Sequence, residues 1–320
     1  MILPATAENI ARAAELLRGG ELVAFPTETV YGLGARADSP TAAARIFEVK
    51  ERPSFDPLIV HIAAPVELAA LVTEIPPAAR VLAANFWPGP LTLVLPKSDA
   101  VPDIVSAGLP SVAVRMPEHP VARLLIEQTG TPIAAPSANR FGYVSPTTAA
   151  HVEEQLGERI PLVLDAGPCR VGLESTIVSF AGGPPALLRP GGITLEAIEA
   201  LIGPLPLAAA GERPLAPGQL PRHYAPATPL TLIGAPGEVA AEHRAASALL
   251  LVAPAPGDVH GFAHVERLSN GDLAVAAARL FAALRSLDRG GFRHVYCVAV
   301  EERGLGRAIM DRLRRAAHDE

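Results

Sequence analysis

The chain has 320 residues, of which 49% are hydrophobic and 19% charged, and its formal net charge is −6. This composition excludes a disordered chain, and the negative charge argues against non-specific wrapping of nucleic acid. Cys169 and Cys297 lie far apart without a CxxC motif, which excludes a disulfide framework and a thiolate zinc site. No apolar run approaches the roughly eighteen residues of a membrane span and no signal peptide is visible. We therefore expect a cytoplasmic protein with no membrane partner.

Helix and strand patterns alternate along the first two hundred residues. A helix is predicted over 7–18, between the N-cap Thr6 and Gly19, and a second follows Ser39-Pro40 and ends near residue 49. A polar turn is predicted between strand 21–25 and the second helix. The other predicted helices lie near 77–86, 119–129 and 147–156. The other predicted strands cover 57–63, 91–95, 111–116, 132–137, 161–165 and 175–180. This alternation favours an α/β sheet with helices on its faces.

The character of the sequence changes near residue 203. Residues 203–229 contain seven prolines and no helix or strand period, which predicts an extended linker. Beyond it, strands are predicted at LTLI, ALLLV and HVYCVAV, and helices from about residue 237, over 272–287 and over 307–317. The predicted organisation is therefore a large domain at 1–202, a linker at 203–229 and a small α/β domain at 230–320.

Two cations stand just past the end of the second helix. Lys50 and Arg52 are two residues apart at a turn bounded by proline, where a lysine point charge and an arginine fork can bracket a polyphosphate. The alternative is that they neutralise the C-terminal dipole of the helix. Lys50 and Lys97 are the only lysines in an arginine-rich chain, which favours a function for Lys50.

Further candidates lie at strand ends. Ser137 and Asn139 follow a predicted strand, and Ser145 precedes a helix, which is where open α/β sheets bind anions. An ordinary capped turn is the alternative. Arg115 ends an apolar strand and needs a carboxylate or phosphate partner, whether a ligand or a structural ion pair. Ser175 and Arg189 occupy similar positions beside glycines.

Two glycine motifs are weak indications of nucleotide binding. Gly32 and Gly34 imitate a dinucleotide fingerprint, but six residues separate them from the preceding strand, and the next helix begins only after Ser39. GLGRA at 304–308 opens a helix after a strand but lacks the third glycine. The chain has no GxxxxGK[ST] motif, so a bound nucleotide would not be cradled by a P-loop.

A series of segments in order carries a family resemblance. Residues 21–192 contain PTETVYGLG, KERPSFDPLIVHI, FWPGPLTLVLP, VAVRMPEHPVA, PIAAPSAN with SPTTAAHV, GLESTIV and LRPG. HYAP at 223–226 and LFAALRSLD with GLGRAIMDRLRRAA, within 280–317, follow them. Together they resemble the long, two-domain form of the YrdC-type L-threonylcarbamoyl-AMP synthases. The resemblance implies a twisted open α/β sheet (YrdC-like) with a second, smaller α/β domain.

The resemblance also implies a reaction. L-threonine, bicarbonate or CO2, and ATP with Mg2+ would give L-threonylcarbamoyladenylate, pyrophosphate and water. Other proteins would then transfer the threonylcarbamoyl group to N6 of an adenosine in certain tRNAs. The chain would thus be a nucleotidyltransferase in tRNA processing, with those transfer proteins as downstream partners. Whether it also binds tRNA directly stays open.

The family's functional residues map onto this sequence position by position. The L-threonine pocket would be lined by Thr29, His61, Arg115, Ala135 and Ser175. ATP would contact Lys50, Arg52, Asp56, Ser111, Ser137, Asn139, Ser145 and Arg189, with Tyr224 closing over the nucleotide as a lid. Lys50 and Arg52 are expected to be catalytic, and Mg2+ would be held mainly by the ATP phosphates rather than by a protein metal site. Asp56 stands where many relatives have asparagine.

Two other functions compete with this hypothesis. A carbamoyl-transfer enzyme of the hydrogenase-maturation type shares the domain but carries cysteine-rich zinc motifs, and this chain has no CxxC. A non-enzymatic RNA-binding module is suggested by the basic lining that the resemblance implies for the cavity. The acidic balance of the first 205 residues argues against RNA binding as the main role.

Overall fold

The structure is a computed structural model, and it describes residues 1–208 and 214–318. The chain forms two compact units. The N-terminal unit comprises Met1–Phe141, Ser145–Arg170 and Glu174–Gln219. The C-terminal unit comprises Gly142–Val144, Val171–Leu173 and Leu220–Glu320. Two short segments from the first two hundred residues therefore belong to the C-terminal unit, which is a feature that the sequence pattern does not predict.

Ten strands and eight helices make up the described part of the N-terminal unit. The strands are β1 (Ile2–Pro4), β2 (Val23–Phe25), β3 (Gly32–Arg36), β4 (Ile59–His61), β5 (Leu91–Pro96), β6 (Ser111–Arg115), β7 (Ile133–Ala134), β8 (Leu162–Asp165), β9 (Thr176–Ser179) and β10 (Ala186–Arg189). The helices are α1 (Ala7–Arg18), α2 (Pro40–Lys50), α3 (Leu68–Leu71), α4 (Pro77–Phe86), α5 (Asp103–Ser106), α6 (Pro120–Thr129), α7 (Ala149–Leu156) and α8 (Leu195–Ile202).

The strands form one mixed sheet in the order β1-β8-β2-β3-β7-β4-β6-β5-β9-β10. Strands β4 and β6 are parallel, and β5 is antiparallel to β6 and parallel to β9. The prediction of an open α/β sheet is therefore confirmed, and the structure adds the strand order. Strand β3 is a correction, because the sequence predicts a polar turn there.

Local sequence explains the helix boundaries. The Thr6 side chain accepts a hydrogen bond from the Asn9 N–H at the start of α1, and Ser39 does the same for Ala42 at the start of α2. Each of these bonds satisfies an amide that the helix leaves free in its first turn. The predicted helices 7–18, 77–86 and 119–129 agree with α1, α4 and α6 to within a residue.

Helices cover the two faces of the sheet unequally. On one face, α1 and α6 pack over Val23 and Phe25 of β2 and Ile133 of β7. On the same face, a smaller apolar cluster joins Ile59, Val94, Ala113, Ile177, Leu188 and Ala216. The opposite face carries the large core beneath α2, α4, α7 and α8. Because side chains alternate along a strand, residues two positions away from members of the small cluster on the same strand lie on the same face.

The C-terminal unit is built on a parallel sheet. Its strands are β11 (Leu230–Ile233), β12 (Ser247–Leu251), β13 (His264–Arg267) and β14 (His294–Val298), in the order β11-β14-β12-β13. Its helices are α9 (Ala241–Arg244), α10 (Leu273–Arg289) and α11 (Leu305–Ala316). The second, smaller α/β domain is thus confirmed. The helix predicted from about residue 237 is instead a 3₁₀ turn at Pro236–Glu238 followed by the four-residue α9, and strand β13 is an addition.

The proline-rich segment 203–229 contributes no α-helix or extended strand in its described part. Residue Leu207 makes an isolated bridge with Leu187 of β10, and residues from Leu220 onwards belong to the C-terminal unit. Residues 209–213 of the predicted linker lie outside the described residues. Within the described ranges, no helix combines the length and apolarity needed to cross a membrane.

Candidate active site

A row of polar side chains crosses the centre of the N-terminal sheet. His61 of β4 is the register partner of Arg115 of β6, and Arg115 is in turn the partner of Thr92 of β5. All three side chains are buried and lie on the face that carries the small apolar cluster. Polar groups buried in this way need partners inside the protein or on a ligand.

Arg115 is the centre of this row. Its Nη1 donates a hydrogen bond to Thr29 Oγ1 at 2.9 Å, and its Nη2 lies 2.6 Å from Glu28 Oε1. Its Nε also donates to the Gly89 carbonyl at 3.3 Å. Burial raises the pKa of Glu28, but Arg115 and the backbone N–H groups of Glu28 and Glu118 together lower it, so the net shift is downwards and the pair is charged at neutral pH. The strand-end arginine of the sequence therefore has a structural ion-pair partner, Glu28.

His61 is held neutral. Burial, assisted by the positive charge of Arg115, lowers its pKa to about 3. Its Nδ1 lies 3.1 Å from the Ile59 carbonyl oxygen. Because a carbonyl oxygen can only accept, Nδ1 carries the ring proton and Nε2 is an acceptor. Ala135 adjoins this point, since its N–H donates to the same carbonyl at 2.9 Å.

Ser175 connects the row to a second arginine. Its Oγ is 2.7 Å from Thr92 Oγ1, and Arg189 Nη2 donates to the Ser175 carbonyl at 2.9 Å and to its Oγ at 3.2 Å. The backbone at Gly191 packs closely against Ser175 and requires glycine, because a Cβ there would lie 2.4 Å from the Ser175 carbonyl carbon. Four of the five predicted threonine residues, Thr29, His61, Arg115 and Ser175, thus lie along one row, with Ala135 beside it.

A second charged cluster lies around Asp56. Arg52 Nη2 is 2.9 Å from Asp56 Oδ2, and Arg52 also donates to the backbone carbonyls of Asp56 and Pro57. Burial raises the pKa of Asp56, and Arg52, Lys50 and Arg189 oppose that rise without cancelling it. Arg189 therefore belongs electrostatically to this cluster as well as to the Ser175 contact. Three cations around one carboxylate give the cluster a positive excess.

Lys50 serves the backbone of the neighbouring loop. Its Nζ donates to the Ser137 carbonyl at 2.6 Å and to the Asn139 carbonyl. Burial lowers its pKa well below the usual range, and the charge of Arg52 adds to the effect. Lys50 thus links the end of α2 to residues 137–139. From the sequence, Lys50 and this loop were only separate candidates.

Ser145 and Ser111 complete the predicted ATP set within the N-terminal unit. Ser145 Oγ donates to Glu174 Oε1 at 2.6 Å, and both side chains are buried. Ser111 begins β6 on the same face as Arg115, four residues earlier, which is about 13 Å along the strand at about 3.3 Å per residue. Ser111, predicted to contact ATP, and Arg115, predicted to contact threonine, therefore lie at opposite ends of β6.

Tyr224, the predicted lid, lies in the C-terminal unit. Its ring stacks on Phe281 with centroids 5.5 Å apart, and the Arg312 guanidinium lies 5.0 Å from its centroid. Its backbone has φ of 60°, and the residue is 1% exposed. A lid movement would therefore have to release this packing.

Three buried polar residues of the site were not predicted from the sequence. They are Glu28, Thr92 and Glu174. Each belongs to a quoted segment, and Thr92 alternates with apolar residues in LTLVLP, so its burial could have been read from the strand period. Glu28 and Glu174 lie outside the helices and strands, and no period marks their burial.

The mixed sheet with its buried polar row defines a protein of the YrdC-like α/β class. Residues 15–191 match the Sua5, YciO and YrdC family model described as telomere recombination, and residues 193–318 match the model described as the threonylcarbamoyl-AMP synthase C-terminal domain. This two-model arrangement confirms the long form that the sequence segments resemble.

Known proteins match along the whole chain. A threonylcarbamoyl-AMP synthase of Pyrococcus abyssi is 46% identical over 97% of this chain and 94% of its own length, and that of Bacillus subtilis is 46% identical over 97% and 93%. The crystal structure of P. abyssi Sua5 complexed with L-threonine superposes with a TM-score of 0.93 at 43% identity, covering 99% of this chain and 97% of that one. The chain therefore belongs to the threonylcarbamoyl-AMP synthase family of enzymes, and the family predicted from the sequence is confirmed.

Proposed function

We propose that this chain condenses L-threonine, bicarbonate or CO2, and ATP into L-threonylcarbamoyladenylate and pyrophosphate, with release of water when bicarbonate is the carbon source. Its family membership supports the reaction, and so do the two charged clusters of the N-terminal unit. The Ser175 contact carries the proposal furthest. This residue touches Arg189 and, through Thr92, adjoins the row of Arg115, so it links a phosphate-type site to an amino-acid-type site.

The polar row suits threonine. The fork of Arg115 is matched to the substrate carboxylate, and the acceptor Nε2 of neutral His61 is matched to the substrate hydroxyl. Thr29, Ser175 and Ala135 would border the same pocket. The relative P. abyssi Sua5 has been crystallised with L-threonine, which supports threonine as a substrate.

The Asp56 cluster suits the phosphates of ATP. Arg52 and Arg189 supply guanidinium forks, and Lys50 supplies positive charge while it holds the Ser137–Asn139 loop in place. Ser111, Ser145 and Tyr224 remain proposed contacts of the nucleotide. Among the described residues no group of three His, Cys, Asp or Glu side chains is placed to hold a metal ion. Mg2+ is proposed to enter as the ATP complex, ligated mainly by phosphate oxygens.

The chemistry consists of two bond-forming steps. The threonine amine, as the free base, forms an N–C bond with CO2 and releases one proton to solvent, which leaves a carbamate. A carbamate oxygen then attacks the α-phosphorus of ATP, and the bond to the β-phosphate oxygen breaks to release pyrophosphate. The contribution of the protein is to hold two anions together and to offset their charge, for which Arg52, Arg189 and Lys50 are suited.

The product fixes the class of partner that must follow. A mixed anhydride of a carbamate and AMP is a reactive acyl donor, so enzymes that transfer the threonylcarbamoyl group to a tRNA adenosine would consume it. ATP, free threonine and tRNA meet in the cytoplasm, which is the compartment we propose for this chain.

The test is pyrophosphate release by the purified protein. We expect release to require threonine, bicarbonate and ATP together, and mass spectrometry should detect threonylcarbamoyladenylate. Release that continues without threonine, or no release with all three, would contradict the proposal.

A matched pair of variants tests the phosphate cluster. The double variant Arg52→Gln/Asp56→Asn removes one positive and one negative charge, so the net charge of the cluster does not change, and it should lower turnover about 100-fold. Arg45→Ala, on helix α2 just before this segment but half-exposed and paired with Glu21, is the control and should retain turnover. Equal turnover of the double variant and the control would show that ATP does not bind at this cluster.

A further inference from the structure

Glu28 is a buried carboxylate beside Thr29. Its side chain is 3% exposed, and its Oε1 lies 2.6 Å from Arg115 Nη2. Arg115 and the backbone N–H groups of Glu28 and Glu118 surround this carboxylate and lower its pKa, but among the described residues none of them makes a hydrogen bond of good geometry to either oxygen. A carboxylate offers about four lone-pair sites, so Glu28 can still accept hydrogen bonds from a ligand.

The fork of Arg115 places this carboxylate beside the substrate. One arm of the fork reaches Thr29 and the other reaches Glu28. In an α-amino acid, the ammonium nitrogen lies about 2.5 Å from the carboxyl carbon. A substrate carboxylate on Arg115 would therefore carry its ammonium group to within contact of Glu28.

We propose that Glu28 binds the ammonium group of the amino-acid substrate, and that the Glu28–Arg115 ion pair exchanges partners with the zwitterion when it binds. This inference rests on the proposed function and adds a specificity-determining residue to it. Arg115 takes the substrate carboxylate while Glu28 takes the ammonium, so one buried ion pair becomes two. The net charge of the pocket does not change.

The surroundings make this exchange selective. Besides Arg115, the titratable side chains that interact electrostatically with Glu28 are His61, His119 and Cys169. Burial lowers the pKa of both histidines and raises that of the thiol to about 12, so all three are neutral at neutral pH. A ligand with only a carboxylate would leave Glu28 unpaired, and one with only an ammonium group would leave Arg115 unpaired. Both are costly in a buried site.

The first experiment uses the wild-type protein and isothermal titration calorimetry. L-threonine is compared with 3-hydroxybutyrate, which lacks the ammonium group, and with threoninol, which lacks the carboxylate. We expect both analogues to bind about 100-fold more weakly than threonine. Equal affinity of threonine and 3-hydroxybutyrate would overturn the inference.

The second experiment transfers the preference by substitution. In Glu28→Gln the amide keeps the shape but cannot neutralise an ammonium group, so threonine affinity should fall while 3-hydroxybutyrate affinity rises. The ratio of the two affinities should change at least about tenfold. Glu118→Gln, a half-exposed acidic residue paired with Arg170, is the matched control and should keep the wild-type ratio.

A third variant guards against a folding defect. Glu28→Asp keeps the charge but withdraws it by one methylene, so it should weaken threonine binding and retain the preference for a zwitterion. An unchanged affinity ratio in folded Glu28→Gln would overturn the inference. If that variant does not fold, a Glu28→Asp protein with no preference for threonine would do so. Threonine-dependent pyrophosphate release by the wild type is scored separately, so failure of the proposed reaction is recognisable by itself.

Discussion

Arg52 and Arg115 of the N-terminal unit and Arg285 of the C-terminal unit are buried arginines that contact different kinds of group. In the N-terminal unit, Arg52 and Arg115 face the buried carboxylates of Asp56 and Glu28. In the C-terminal unit, Arg285 donates to the Val144 carbonyl and lies 5.1 Å from the centroid of the Tyr143 ring. Both kinds of arginine are almost fully buried, so burial alone does not distinguish them.

The partner decides what the arginine can do. A carboxylate side chain can yield its arginine to a ligand of the same charge, because the exchange conserves the charge of the pocket. The Val144 carbonyl and the Tyr143 ring are fixed by the fold, and we expect Arg285 to stabilise the C-terminal unit through them. We therefore expect substitution of Arg115 to affect substrate binding and substitution of Arg285 to affect stability.

The substitution Arg115→Lys should have the largest effect on activity. The lysine keeps a positive charge for Glu28 but loses the fork that reaches Thr29 and the substrate carboxylate. We expect kcat/KM for threonine, measured by pyrophosphate release, to fall at least about 100-fold. Arg314→Lys, which changes an exposed arginine paired with Glu302, should leave it unchanged. A loss below about threefold would remove Arg115 from the threonine site.

A smaller effect, on stability rather than binding, is expected for Arg285→Met. Loss of the bond to Val144 and of the contact with Tyr143 should destabilise the protein by about 2–4 kcal/mol, seen as a lower urea midpoint. The KM for threonine should stay within about twofold. Arg279→Met, on the same helix but half-exposed, should cost less than about 1 kcal/mol. A KM change as large as that of Arg115→Lys would contradict a purely structural role for Arg285.

The smallest effect is a pH dependence from His61. Its folded pKa of about 3 lies below the ordinary value of 6.5, so the unfolded chain gains a proton in acid that the folded protein refuses. Wild-type stability should therefore fall by about 1.3 kcal/mol from this group between pH 7 and 5.5. His61→Asn should lack that component in urea titrations at the two pH values, whereas a variant of exposed His260 should retain it. Identical pH slopes for wild type and His61→Asn would show that His61 is not buried as a neutral ring.

Periodic segments were predictable from the sequence because their signals are local. The apolar spacing and caps of α1 and α2 lie within a dozen residues, and the resemblance of ordered segments predicted the family. The predicted threonine row also has a local basis, since strand ends place Arg115 and Ser175 at one region of the sheet.

The sequence was misleading where glycine serves packing rather than turning. Gly32 and Gly34 suggested a turn or a phosphate loop, yet both lie in β3. A Cβ at Gly34 would approach the Phe25 ring to 2.8 Å and an Ile133 methyl group to 2.9 Å, so tight contact with these side chains requires glycine there. That requirement depends on β2 and β7 being its neighbours, which no local pattern reveals.

Charge pairing was the other property that the sequence did not provide. Glu28 meets Arg115 across 87 positions of the chain, and Lys50 meets the Ser137 carbonyl across the same separation. A local reading placed Lys50 against phosphate or a helix dipole, but its Nζ bonds two loop carbonyls. Long-range pairs of this kind follow only from strand order.

The position of Ser175 between Thr92 and Arg189 has a thermodynamic consequence. If threonine and ATP occupy the two sides of this residue, any adjustment of Ser175 on binding one is felt by the other. The coupling is then reciprocal: the factor by which threonine alters the dissociation constant of ATP equals the factor by which ATP alters that of threonine. One hydroxyl group would thus tie the saturation of the enzyme by an amino acid to its saturation by a nucleotide.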